Sequence, residues 1–178
     1  MRRRSSLLTS SRSTRLRAPA DAAWAALVSA GAGRHWYADT PPLRLRQSLD
    51  RLVGGPPAAP PPARAQLATG DRVGLWRVAE ADPAARRLVL EAEVRAPGVV
   101  VLTTTVLSTP GSGCEVRQAV SFAPAGLVGV AYLLPDLPVR ELVAEWVHRE
   151  ALADVRAATG LGDGLGDGDP DDGGPHGS

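Results

Sequence analysis

The chain has 178 residues, is 44% hydrophobic but only 4% aromatic, and carries a formal net charge of +1 at pH 7. That length fits one domain with tails, and the balanced charge excludes the general basic attraction on which nucleic-acid and anionic-membrane binders rely. A single cysteine, Cys114, excludes an intrachain disulfide, a cysteine-based metal site and a dithiol redox pair, so a reducing cytoplasm is the expected compartment.

Lys, Asn and Ile are absent, which reads as codon bias and makes each Arg weaker evidence of function. With so few aromatics, Trp24, Trp36, Trp76 and Trp146 stand out as the large packing units. Met1 to Ser13 is rich in Arg and Ser and free of acids, slightly like a transit peptide, but it has no apolar core of a secretory signal. Residues 1–12 are expected to be a disordered basic terminus. The longest mostly apolar runs, Val99 to Leu107 and Leu127 to Leu134, fall far short of the roughly 20 residues that span a bilayer, and no membrane insertion is expected.

The folded domain is expected over 13–158. Ser13 to Arg17 alternates like a first strand, and Pro19 then opens a helix over Ala20 to Ala30, with Trp24, Leu27 and Val28 on one face. Asp21 suits the positive end of that helix and Gly31 is a natural stop. Leu45, Leu49, Leu52 and Val53 suggest a second short helix, ended by Gly54-Gly55. Residues 54–70 hold Pro56-Pro57 and Pro60-Pro61-Pro62 and read as an exposed, stiff loop, partly in the polyproline II conformation.

Four strands follow, Arg72 to Ala79, Arg87 to Arg95, Val99 to Ser108 and Glu115 to Ala123, with turns at Asp82-Pro83, Pro97-Gly98 and Pro110 to Gly113. Period-two alternation puts Leu88, Leu90, Ala92 and Val94 on one face and Arg87, Glu91, Glu93 and Arg95 on the other. By the same alternation Val100, Leu102, Thr104 and Val106 face inward, as do Val116, Gln118, Val120 and Phe122. Thr104 and Gln118 are therefore polar exceptions on an apolar wall. Cys114 falls at the end of a hairpin turn, where no catalytic role is expected.

After Pro124 the pattern turns helical, and Pro135 and Pro138 are expected to break the helix. Val139, Leu142, Val143 and Trp146 then give the longer second piece its packing stripe, with Trp146 as its anchor on the sheet. Residues 159–178 are Gly and Asp without apolar periodicity and read as a disordered acidic tail. That tail lacks the repeated periods of a calcium-binding roll.

His35, His148 and His176 are too scattered for a metal-ligand pair, and no metal or other cofactor is expected. His148, between Glu145 and Arg149 on a helix, reads as solvent-exposed, and His35 as a solvated or core-edge residue. No nucleophile elbow and no phosphate-binding loop is present. Trp76 and Arg77 must face opposite ways on their strand, so Trp76 either fills the core or stacks on a ligand.

The order of strand, helices, antiparallel strands and closing helix resembles the helix-grip superfamily, which includes START, birch-pollen-allergen-like and polyketide cyclase-like proteins and is often called SRPBCC. Within it, Gly33-Arg-His-Trp-Tyr37, Leu49-Asp-Arg-Leu-Val-Gly-Gly55, Gly70-Asp-Arg-Val-Gly-Leu-Trp-Arg-Val78, Pro97-Gly98 and Phe122-Ala-Pro-Ala-Gly-Leu127 are similar to the branch named domain of unknown function 2867. The resemblance implies an α+β fold in which a curved antiparallel sheet wraps around a long C-terminal helix, with two short helices near the N-terminus. It also implies a cavity for a hydrophobic or amphipathic small molecule, for which Gln118, Thr104, Trp76, Tyr37, Tyr132 and Phe122 are the candidate lining residues. Similar chains often follow a nucleotide-binding domain, which raises a separate oxidoreductase as a partner. A cyclase or dehydratase activity, carried by a few polar groups in the pocket, is the competing expectation.

Overall fold

The computed structural model describes residues 8–30, 35–39, 59–60, 62–93, 98–124 and 126–160. Six strands and two helices follow in order: β1 Leu8–Leu16, α1 Ala20–Leu27, β2 Arg72–Val73, β3 Trp76–Asp82, β4 Arg87–Ala92, β5 Gly98–Thr109, β6 Gly113–Pro124 and α2 Gly126–Thr159. The strands form one antiparallel sheet in the order β1-β6-β5-β4-β3-β2, and α2 packs against β1 and β6. This is the helix-grip arrangement. The second short helix expected near Leu45 to Val53 lies outside the described residues.

β1 begins at Leu8 and pairs with β6 along its whole length, from Leu8 opposite Phe122 to Leu16 opposite Cys114. Residues 8–12 are thus ordered strand, against the expectation of a disordered terminus. The low-complexity Ser/Arg composition hid a regular alternation: Ser10 and Leu16 are buried while Thr9, Ser11, Ser13 and Arg15 face solvent. The strand expected over 72–79 is split, because Gly74 takes a positive φ of 59° between β2 and β3. β3 also shifts register against β4 between Val78 and Glu80.

The predicted inward faces of β5 and β6 hold. Leu102, Thr104, Val106, Val116, Gln118 and Phe122 are buried, and the register sets Thr104 directly opposite Gln118. On the outer face the expected charge row is paired, Arg77 to Glu91 at 2.8 Å and Arg72 to Glu93 at 3.0 Å.

α2 departs from expectation twice. It is one continuous helix of 34 residues through Pro135 and Pro138. Each proline costs the helix one N–H donor, which a helix of this length tolerates here. Its phase is also rotated: Ala144, Val147, His148, Ala151, Leu152 and Val155 are buried, whereas Leu142 is 69% and Trp146 45% exposed. Of the predicted stripe, Val143 is half-buried against the core while Leu142 and Trp146 turn outward. The core takes the face that carries Val147, Ala151, Leu152 and Val155, and Trp146 is not an anchor.

A second knot of structure joins α1, β3 and α2. Trp36 donates its indole N–H to the Leu27 carbonyl (3.0 Å) and its backbone N–H to Asp154 of α2 (3.1 Å). Tyr37 donates its hydroxyl to the Ser29 carbonyl (2.7 Å), and Trp76 donates its indole N–H to the Tyr37 carbonyl (2.6 Å). The loop around Gln66 is fastened here as well, with Leu67 N–H bonded to the Val28 carbonyl at 2.8 Å.

Candidate functional site

The inner wall of the sheet changes character in layers along β5 and β6. Near the β5–β6 hairpin it is closed and apolar, with Leu16, Val106, Cys114 and Val116 buried. The next layer, Thr104 opposite Gln118, is polar. Beyond it Leu102 and Phe122 remain buried, but Val100 and Val120 are half-buried, as is Val143 on α2. An apolar surface only partly covered by protein thus adjoins a polar layer.

The polar layer is a continuous hydrogen-bonded chain. Gln118 donates from Nε2 to the Thr104 hydroxyl (3.2 Å), while its Oε1 meets Nδ1 of His148 (3.0 Å). The other imidazole nitrogen, Nε2, meets the Thr14 hydroxyl at 2.9 Å. A carbonyl oxygen can only accept, so His148 carries its proton on Nδ1, and the neutral ring accepts from Thr14 at Nε2. Burial pushes the His148 pKa below the usual imidazole value; nearby Glu145 opposes that shift and Arg12 adds to it. Four side chains from three strands and one helix therefore satisfy one another around a neutral histidine.

His148 is 4% exposed, a correction to its expected solvent position. Its i+4 spacing from the buried Ala144 and to Leu152 was a signal on the helix face, obscured by the charged neighbours on either side.

A charged cluster flanks this chain between β1 and α2. Arg12 bonds Glu141 at 2.6 Å and Glu145 at 3.1 Å, and the Ser10 hydroxyl donates to Glu141. The Arg12 contact, chiefly, lowers the Glu145 pKa, and the two carboxylates raise that of Arg12. These groups are a third to a half exposed, so the pairs add little to stability. Their value is positional, because they hold α2 in register over β1.

The candidate residues separate in the structure. Gln118 and Thr104 come together, and Phe122 sits two layers further along the same wall. Trp76 and Tyr37 belong to the knot at α1, where their polar atoms are bonded to main chain and Tyr37 is fully buried. Burial raises the Tyr37 pKa, with Asp154 and Asp39 adding to it. Both are buried, with their polar atoms bonded to main-chain carbonyls. The Tyr132 side chain lies outside the described residues. His35 stacks on Tyr37 with ring centroids 5.1 Å apart, a core-edge position. Cys114 is buried in β6, which raises its thiol pKa and makes it inert.

An open groove of about 380 Å³ lies on the opposite, outer face of the sheet, lined by Ser11, Ser13, Thr103, Thr105, Arg117 and Ala119 among others. It forms over the small Ala119 between β1 and β5. Its guanidinium is already engaged: Arg117 grips Glu115 through two bonds of 2.8 and 3.0 Å and holds that carboxyl down to about 2. Among the described residues no group of three or more His, Cys, Asp or Glu is placed to hold a metal ion, and no helix is long and apolar enough to cross a membrane.

The antiparallel sheet and the long C-terminal helix packed on it define a helix-grip fold. The chain belongs to the protein family of unknown function 2867, whose model matches residues 3–147. No curated protein matches the chain. Similar solved structures include a structural-genomics protein from Nitrosospira multiformis, at 14% identity over 85% of this chain and 96% of that one, with a TM-score of 0.48. Protein CV1439 from Chromobacterium violaceum is 15% identical over 85% of this chain and 96% of that one, with a TM-score of 0.46. The di-domain ARO/CYC BexL from the BE-7585A biosynthetic pathway is 18% identical over 87% of this chain and 47% of that one, with a TM-score of 0.44. Likeness of this degree says nothing of ligand or reaction.

Proposed function

We propose that the chain binds an amphipathic small molecule between the inner wall of the sheet and α2. The observation that carries this reading is the half-covered apolar surface of Val100 and Val120, beside the buried polar layer on the same wall of the sheet. Removing such a surface from water stabilises a complex by roughly 25 cal/mol per Å², and polar groups at one end of an apolar seat fix orientation. Phe122 forms part of the apolar seat, and Gln118 with Thr104 the polar end.

Native mass spectrometry of the purified protein is the direct test. The expected result is a retained small molecule that is lost on Val120→Asp; protein that carries no molecule, or the same one after that substitution, defeats the proposal.

One observation favours a second reading, a cyclase or dehydratase type of enzyme: the polar layer holds a titratable group, His148, with its tautomer fixed by Gln118. A neutral imidazole so held is equipped to move a proton once Thr14 turns aside. A separate oxidoreductase as partner rests on the family resemblance and draws nothing from this geometry.

A further inference from the structure

The buried polar layer holds more hydrogen-bond donors than it uses. Thr104 is 0% and Gln118 4% exposed. Gln118 Nε2 donates to the Thr104 hydroxyl, and Gln118 Oε1 accepts from His148 Nδ1. An amide nitrogen carries two protons and a hydroxyl one. The second Nε2 proton of Gln118 and the Thr104 hydroxyl proton therefore meet no acceptor among the described residues. A buried donor left unpaired is rare and costly, more so than the second lone pair of an oxygen that already accepts one bond.

This surplus limits what the polar end of the seat receives. Half-buried Val120 follows Gln118 on the same face of β6, so the apolar surface begins beside the amide. An ammonium or hydroxyl group adds donors where two already lack acceptors. A carboxylate adds a charge, and a buried charge needs a counter-charge. None is offered here, since His148 is neutral between Gln118 and Thr14, and Arg12 is held by Glu141 and Glu145. A carbonyl oxygen accepts, brings no proton and carries no net charge.

We propose that the polar end takes a carbonyl oxygen, so that the ligand is a neutral ketone, ester or amide on an apolar chain. Its oxygen accepts the second amide proton of Gln118, the more exposed of the two donors, while the Thr104 hydroxyl holds that amide in place. The assignment rests on the apolar seat of Val100 and Val120 proposed for the inner wall and adds its ligand class.

The test is equilibrium dialysis of the full chain against three probes with the same octyl chain: methyl octyl ketone, its analogue with a methylene in place of the carbonyl oxygen, and nonanoate. Ketone and alkene are both expected to bind. Gln118→Glu, which keeps an oxygen for His148 and removes the amide protons, raises the Kd of the ketone about tenfold and leaves that of the alkene within about twofold. Thermal melts close to those of the parent show the variant to be folded. A second measurement needs no variant: the infrared carbonyl stretch of the ketone bound to the parent protein lies below its value in a hydrocarbon solvent. Ketone and alkene that respond alike to the substitution, nonanoate bound as tightly as the ketone, or an unshifted carbonyl stretch overturns the carbonyl assignment while the apolar seat stands. Failure of ketone and alkene alike to bind the parent overturns the seat itself, and the assignment with it.

Discussion

Gln118 and His148 illustrate how one residue's role depends on another 30 positions away. A lone amide on an apolar strand face must find a partner, since a buried polar atom left unpaired costs about 1 to 3 kcal/mol. Here it finds two, Thr104 and the imidazole. Gln118→Leu removes the acceptor for the His148 Nδ1 proton and the donor to Thr104, so urea denaturation is expected to show a loss of about 1 to 3 kcal/mol. An unchanged midpoint shows that these atoms are satisfied otherwise.

The same histidine makes a pH prediction. Its pKa is lowered in the folded state, chiefly by burial, so on acidification the unfolded chain takes up the proton first. Its contribution is fully present above the unfolded value near 6.5 and is lost as pH falls through that value toward the folded one. Melting temperatures of the parent and of His148→Gln between pH 8 and pH 5 are expected to diverge. The parent falls more steeply below about pH 6.5, the ordinary histidine pKa, whereas parallel curves show that His148 does not titrate differently on folding.

For the element α2, the packing face decides which substitutions matter. Leu152 is buried at the α2 interface, and Leu152→Ala is expected to cost about 2 to 5 kcal/mol. Trp146→Ala, on the exposed side, should stay within about 0.5 kcal/mol in dilute solution, as surface substitutions do. Parallel urea titrations of the two variants check the phase of the helix, and a reversed order means that it is wrong. On β5, a Cβ at Gly98 would stand 2.6 Å from the Ala123 carbonyl oxygen and from the Phe122 ring. Gly98→Ala therefore forces the strand pair apart, with an expected loss of about 1 to 3 kcal/mol in the same assay. Gly98, which reads as a turn residue in the sequence, serves the close approach of its strand to the Phe122 ring.

The whole molecule is a sheet closed at one edge by its own first strand. β1 pairs with β6 over nine residues and carries Ser10, Arg12 and Thr14, each of which reaches α2. A chain lacking residues 1–12 loses half of that strand and two of the three tethers. Its melting temperature is expected to drop by about 4 °C or more, the shift that corresponds to 1 kcal/mol or more in a domain of this class. A drop of a degree or less, read by circular dichroism, shows the first half of β1 to be dispensable.

Alternation alone placed Thr104, Gln118 and Phe122 on the inner wall, because a strand has only two faces and the apolar neighbours choose between them. The turn residues located the hairpins for a similar local reason, the positive φ or fixed φ that Gly and Pro supply. β1 was legible only in part, since its inward positions are Ser, Arg and Thr and their burial depends on α2 lying above them. The phase of α2 was not legible, because a helix rich in Ala and Val offers more than one apolar sector and the sheet selects among them. Trp146, His148 and the Tyr37–Trp76 contact all turned on that choice or on another contact far along the chain. Local periodicity determined the strands and the inner wall; contacts between residues more than a hundred positions apart, such as Thr14 with His148, decided which side chains complete the buried polar layer.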